Sequence, residues 1–167
     1  MKKVIAILLL CLFISKAAAQ NNAMDTIPRY IKVPAGYLMV LRQGDDVLAQ
    51  LESLAVKEKI PSANFAGMGF VNARFGFFNF QTKEYEPKEF NNVELASMRG
   101  SIAWQQGKVS IHAHGVVTDR EFKAYGGHML GAVVGTGSVE ILITVHDKML
   151  ERKMEDPPGA NVLRLKE

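Results

Sequence analysis

One helical period, followed by nothing but strand periods, sets the fold of this chain. Between Asp45 and Lys59, the residues Val47, Leu48, Leu51, Leu54 and Ala55 recur at the three-and-four spacing that places them on one helix face. Asp45 stands ahead of them as an N-cap, whose carboxylate accepts from free N–H groups of the first turn. Pro61 stops the run. From Ser62 onward the apolar residues alternate, or gather in short aromatic and glycine-rich runs between turn residues, as strands do. The expected class is therefore α+β: a mostly antiparallel sheet with one main flanking helix and room for a second, shorter one.

Individual strands follow from the same reading. YLMVLR, Tyr37 to Arg42, is the first, after a turn at Pro34–Gly36 and before Gln43-Gly44. ANFAGMGFV and ARFGFFNF read as two strands joined near Val71–Ala73, and YEPKEFNN as a turn region. VELASMRGSIAW and KVSIHAHGVV flank Gln105-Gln106-Gly107, a hairpin signal. SVEILITVH sets Val139, Ile141, Ile143 and Val145 on one strand face. DPPG, residues 156–159, breaks a short tail ending in VLRL.

The start of the chain carries different information. A basic MKK head, the apolar run VIAILLLCLFI and the small residues of SKAAAQ have the layout of a secretory signal peptide, with cleavage after Ala19. A retained anchor helix fits less well, because the run is short for a bilayer and Gln20, Asn21 and Asn22 follow at once. Lipoprotein processing at Cys11 fits less well again, since Leu10 is bulky and the apolar run continues past it. The expected organisation is a signal peptide at 1–19, a flexible lead-in at 20–29 and one domain at 30–167, exported to the periplasm or beyond. No membrane span is then left after processing.

Export changes the charge argument. The whole chain has 20 basic and 17 acidic residues, and Lys2, Lys3 and Lys16 leave with the signal, so the mature chain is 17 against 17. A neutral domain lacks the electrostatic drive for nucleic-acid binding. The single cysteine, Cys11, also lies in the signal. The mature domain therefore forms no disulfide and no thiolate site, and any metal must be held by His, Asp, Glu or water.

Three of the four histidines fall in SIHAHGVVTDREFKAYGGHML, residues 110–130. On a strand, His112 and His114 share one face, while Val109, Ile111 and Ala113 point to the other. Neutral imidazole is the usual ligand for borderline divalent metals, and His128 would complete a three-nitrogen set with one open position. Gly126-Gly127 ahead of His128 lets backbones approach closely. The same residues also fit a plain strand pair and a turn with an incidental histidine. His146, beside Asp147 at a strand end, reads as solvated.

Other chemistries have weaker signals. Ser110 shares the face of His112 but has no G-x-S-x-G elbow around it. GGHMLGAVVGTG matches neither G-x-G-x-x-G nor a P-loop. Glu94 and Glu140, each between apolar residues, are candidates for a fourth ligand or an imidazole partner, or face solvent; solvent is the first expectation for Glu140. No residue is assigned a catalytic role.

Four blocks in order, LRQGDDVLAQLESLAVKEKI, FAGMGFVNARFGFFN, YEPKEFNNVELASMRGSIAW and GKVSIHAHGVVTDREFKAYGGHMLGAVVGTGSVEILIT, resemble the PPC domain family, conserved in plants and prokaryotes. The resemblance spans roughly Arg29 to Leu165, and its H-x-H, G-G-H, E-I-L order is similar to the prokaryotic branch. It implies a compact antiparallel sheet with flanking helices, assembled as a homotrimer with sheet surfaces buried between subunits. It implies further that His112, His114 and His128 cluster well enough to bind a divalent metal such as zinc; the expectation drawn from it is a site at or near a subunit interface, whose ion is either structural or part of a small-ligand pocket. No enzymatic activity comes with it. In plants the domain accompanies AT-hook DNA-binding motifs, but this chain has no R-G-R-P-type stretch. Phe75, Phe77, Phe78 and Phe80 crowd both faces of one segment, which a trimer interface would help to cover. The expected function is thus an exported, trimeric, metal-binding domain; the alternatives are a metal-free interaction module and a DNA-associated protein.

Overall fold

The computed structural model describes residues 27–165. The expected signal peptide and most of the lead-in lie outside the described residues. The elements run β1 (Tyr30–Val33), β2 (Gly36–Arg42), α1 (Val47–Lys57), β3 (Ser62–Asn79), β4 (Glu84–Gln105), β5 (Lys108–Thr118), β6 (Ala124–His146), β7 (Glu151–Glu155) and β8 (Ala160–Arg164). The α+β class with a mostly antiparallel sheet holds: one pairing, β4 with β7, is parallel. Among the described residues α1 is the one helix, so the second, shorter helix does not form there. None of these residues belongs to a helix long and apolar enough to cross a membrane.

The helix is capped by Asp46, not Asp45. The Asp46 side chain accepts from the Ala49 N–H at 2.9 Å. Asp45 is turned back, accepting from the Arg42 N–H at 2.8 Å and pairing with Arg29 at 2.6 Å. Of two adjacent acids only one has its oxygen over the first turn, and here the nearer one does. At the other end α1 stops two residues short of Lys59. Lys59 takes the left-handed conformation (φ 52°) while the Ile60 N–H reaches the Ala55 carbonyl at 3.0 Å, a Schellman ending.

The strand between Ser62 and Asn79 is continuous; the expected break near Val71–Ala73 is a bulge, with register shifts at Gly67/Gly69 and Val71/Ala73 against β4. YEPKEFNN is likewise strand rather than turn. In that stretch β4 pairs with β3 alone, so Pro87, opposite Gly76, sits on an edge where its missing N–H costs no ladder bond. Asn92 (φ 55°) falls at the shift. The hairpin at Gln106-Gly107 stands, with φ of 51° and 77° between the paired Gln105 and Lys108.

The pairing order is β1-β2-β6-β3-β4-β7-β8, and β5 joins β4 to β6. The four long strands β3, β4, β5 and β6 therefore form a closed circuit, and the sheet curls around its inner face. Tyr37, Ile143, Phe65, Gly100 and Ala113 line up across five strands on that face. Met39, Leu41, Ile141, Val139 and Val117 extend it, each fully buried. The apolar side of α1, Val47, Leu51, Leu54 and Ala55, packs into the same core.

Candidate metal centre

Strict alternation along β5 builds the site. Ala113 and Val117 are buried, so His112, His114 and Val116 emerge on the outer face of the sheet. The chain then turns, and β6 brings His128 directly opposite His114. Close approach here requires glycine: a Cβ at Gly126 would lie 2.8 Å from the Gly115 carbonyl. The three histidines singled out by sequence thus meet, from two neighbouring strands.

Their rings form a near-equilateral triangle, with centroids 5.1, 5.1 and 5.2 Å apart. One ligand nitrogen from each lies within 4.8 Å of the other two. His112 Nε2 and His114 Nε2 are 3.2 Å apart. Two nitrogens at about 2.0–2.1 Å on a tetrahedral ion stand about 3.3 Å apart, so this pair fits a zinc-sized cation. His112 and His114 are exposed and His128 is half-buried, which leaves the solvent side open.

The electrostatics favour the neutral form of two of the rings, His128 and His112. His128 is pulled down to about 4, first by burial and then by His112 and His114. His112 is also lowered, by burial, then by the Arg152 guanidinium and His114. Neutral imidazole is the form a metal takes, without a proton to displace at neutral pH. Tyr85 stacks on His128, centroids 4.7 Å apart and planes 20° apart, which fixes that ring's plane.

The remaining candidates lie elsewhere. Glu94 and Glu140 are both exposed and line a shallow cavity of about 250 Å³ with Met68 and Ser138, none of it formed by the histidines. His146 is at the end of β6 as expected, but is half-buried and bonded to Asn64 Oδ1 at 2.7 Å. Ser110 meets the site through its backbone: its carbonyl accepts from Arg152 Nη1 at 2.8 Å. Arg152 and Tyr85 are the neighbours that sequence reading missed. Tyr85 lay in a segment taken for a turn, and Arg152 sits in the C-terminal hairpin 24 positions after His128, with no motif to mark it.

The model of the Plants and Prokaryotes Conserved (PCC) domain matches residues 30–147. Among solved structures, the chain is similar to a Ralstonia eutropha JMP134 protein carrying a provisional DNA-binding name. The two are 56% identical over 83% of this chain and 96% of that one, with a TM-score of 0.81. It is similar to a plant- and prokaryote-conserved (PPC) protein of Pyrococcus horikoshii, at 27% identity over 78% and 92% of the two chains, TM-score 0.70. It is also similar to a metal-containing protein of Archaeoglobus fulgidus, at 25% identity over 83% and 100%, TM-score 0.71. No curated protein matches.

Proposed function

The chain belongs to the Plants and Prokaryotes Conserved domain family, and from that premise we propose that it is an exported, trimeric member that binds a divalent metal, zinc by preference, through His112, His114 and His128. One observation carries the reading: three imidazoles converge with ligand atoms within 4.8 Å on an otherwise open face. The metal content of the similar Archaeoglobus protein supports it. Bound there, a zinc-like ion would supply Lewis acidity at its open position. The chain's own residues favour the neutral form of His112 and His128, stack His128 on Tyr85 and leave the approach open. None is placed as a general base, so the function proposed is binding rather than turnover.

Trimer formation is proposed on the same outer face and its rim. Leu38, Leu142 and Met68 are 36%, 47% and 59% exposed there, and Phe77 and Phe80 are 74% and 62% exposed near the β3–β4 turn. A single small domain gains by covering such surface, and a closed assembly of copies does so. Export is proposed on the first nineteen residues.

The test is elemental analysis of tag-free protein purified without metal resins. The expected result is one equivalent of zinc per chain, lost on replacing any of the three histidines; protein free of metal after incubation with zinc would reject the reading. Sedimentation of the same sample checks the trimer. DNA binding is the second reading, favoured by the name of the Ralstonia relative; it expects salt-dependent binding to duplex DNA.

A further inference from the structure

The C-terminal hairpin β7–β8 lays one buried cation beside the histidines. Arg152 is 4% exposed. Its Nη1 donates to the Ser110 carbonyl at 2.8 Å and its Nη2 to Ser101 Oγ at 2.6 Å. Ser101 stands directly across from His112 in the β4–β5 register, so guanidinium and imidazole share the outer face. The ion pairs among the described residues are Arg29–Asp45 and Arg164–Glu155; Arg152 has none. Burial is also what lowers its pKa. A buried guanidinium without an opposite charge is costly. Anchoring the hairpin occupies only two of its five N–H donors.

The surroundings repeat the imbalance. Arg99 is exposed directly opposite His114, on the same row of the sheet, and has no ion pair among the described residues. No acidic group enters among the influences on His112 or His128. Two guanidiniums and three imidazoles make a patch of N–H donors on this part of the outer face, apart from the cavity that Glu94 and Glu140 line, and a divalent ion on the imidazoles would add two further positive charges.

We propose that this face is the receptor of a small oxyanion, of carboxylate or phosphate type, recognised by Arg152 beside the metal's open position. The proposal rests on the reading of the triad as a metal site, and Arg152 is its specificity residue. Two of the five guanidinium donors are used by Ser110 and Ser101, and the rest of the planar fork suits an oxyanion. Arg152 lies beyond residue 147, where the family match ends, so it is not implied by membership.

Cobalt-loaded, tag-free protein tests this, since cobalt absorption reports ligands entering at the metal. Acetate and inorganic phosphate are titrated against acetamide, a neutral isostere of acetate. Saturable change with acetate or phosphate and none with acetamide is expected, the stronger of the two naming the ligand class. Arg152→Met should keep full cobalt stoichiometry and weaken the anion roughly tenfold or more, with Arg152→Lys between. Equal responses to acetate and acetamide, or an unchanged anion affinity in folded Arg152→Met, would overturn the proposal. If that variant does not fold, the acetate–acetamide comparison on the unaltered protein decides alone. Should no cobalt bind, the metal reading fails separately; calorimetric titration of metal-free protein with the same anions then decides, and no heat of binding overturns the inference.

Discussion

The two faces of β5 and β6 carry opposite chemistry on alternate residues. Inward lie Ala113, Val117, Met129, Val134 and Ile141, none more than 3% exposed. Outward lie His112, His114, Val116 and Leu142, on the same strands and one residue away. The inner face is closed by the curl of the sheet and by α1. Among the described residues the outer face has no helix over it, only the short C-terminal hairpin at one corner. Folding constrains one set of positions tightly and leaves the other free to carry ligands, which is why a site can sit in mid-sheet without weakening the core.

The sharpest way to break this contrast is to cut the inner face. Ile141→Ala removes a fully buried branched side chain. It should lower unfolding free energy by about 2–5 kcal/mol in a denaturant titration, while the folded fraction keeps its metal stoichiometry. A loss of metal without a loss of stability would erase the distinction between the faces.

Acid should act next, through the half-buried ring. His128 is held near 4 in the folded chain against 6.5 unfolded. Between those values the unfolded chain binds more protons, so stability of the metal-free protein is full above about pH 6.5 and falls as pH drops toward 4. Screening at the open side reduces the effect to on the order of 2 kcal/mol. His128→Gln should flatten that slope, and an unchanged slope would show that other groups titrate there.

Smaller still is the cap. Asp46→Ala should cost about 1 kcal/mol by loss of the bond to the Ala49 N–H. Metal binding should not respond. The smallest effect on the fold belongs to the outer face: His114→Ala should change metal-free stability by less than about 0.5 kcal/mol, yet take zinc below one equivalent per chain by elemental analysis. A large destabilisation instead would mean that His114 belongs to the core's economy and not to a ligand site.

The inner face was largely legible in the sequence, because alternation in SVEILITVH and the three-and-four spacing of α1 report burial directly. The same alternation brought His112 and His114 to one side. What it could not report was where strands bend. The bulge at Val71–Ala73 looks like a strand end, since glycine and asparagine interrupt the period whether the chain turns or continues. Pro87 and the Asn91-Asn92 pair read as turn residues, and only the pairing pattern reveals an edge that tolerates them. Tyr30–Val33 was too short to signal a strand before β1 and β2 paired. Arg152 was invisible for another reason: a lone arginine in a short tail is ordinary until its hydrogen-bond partners, 42 and 51 positions earlier, are known.

That distance also sets an order of events during synthesis. All three imidazoles are made by residue 128 and the strands that carry them by residue 146, but the guanidinium that settles against Ser101 and Ser110 comes later, on the closing hairpin. A chain halted near residue 148 would carry every histidine and lack the cation beside them. Nascent molecules therefore pass through a stage with the imidazoles present and their charged neighbour still missing, and the last two strands decide when that stage ends.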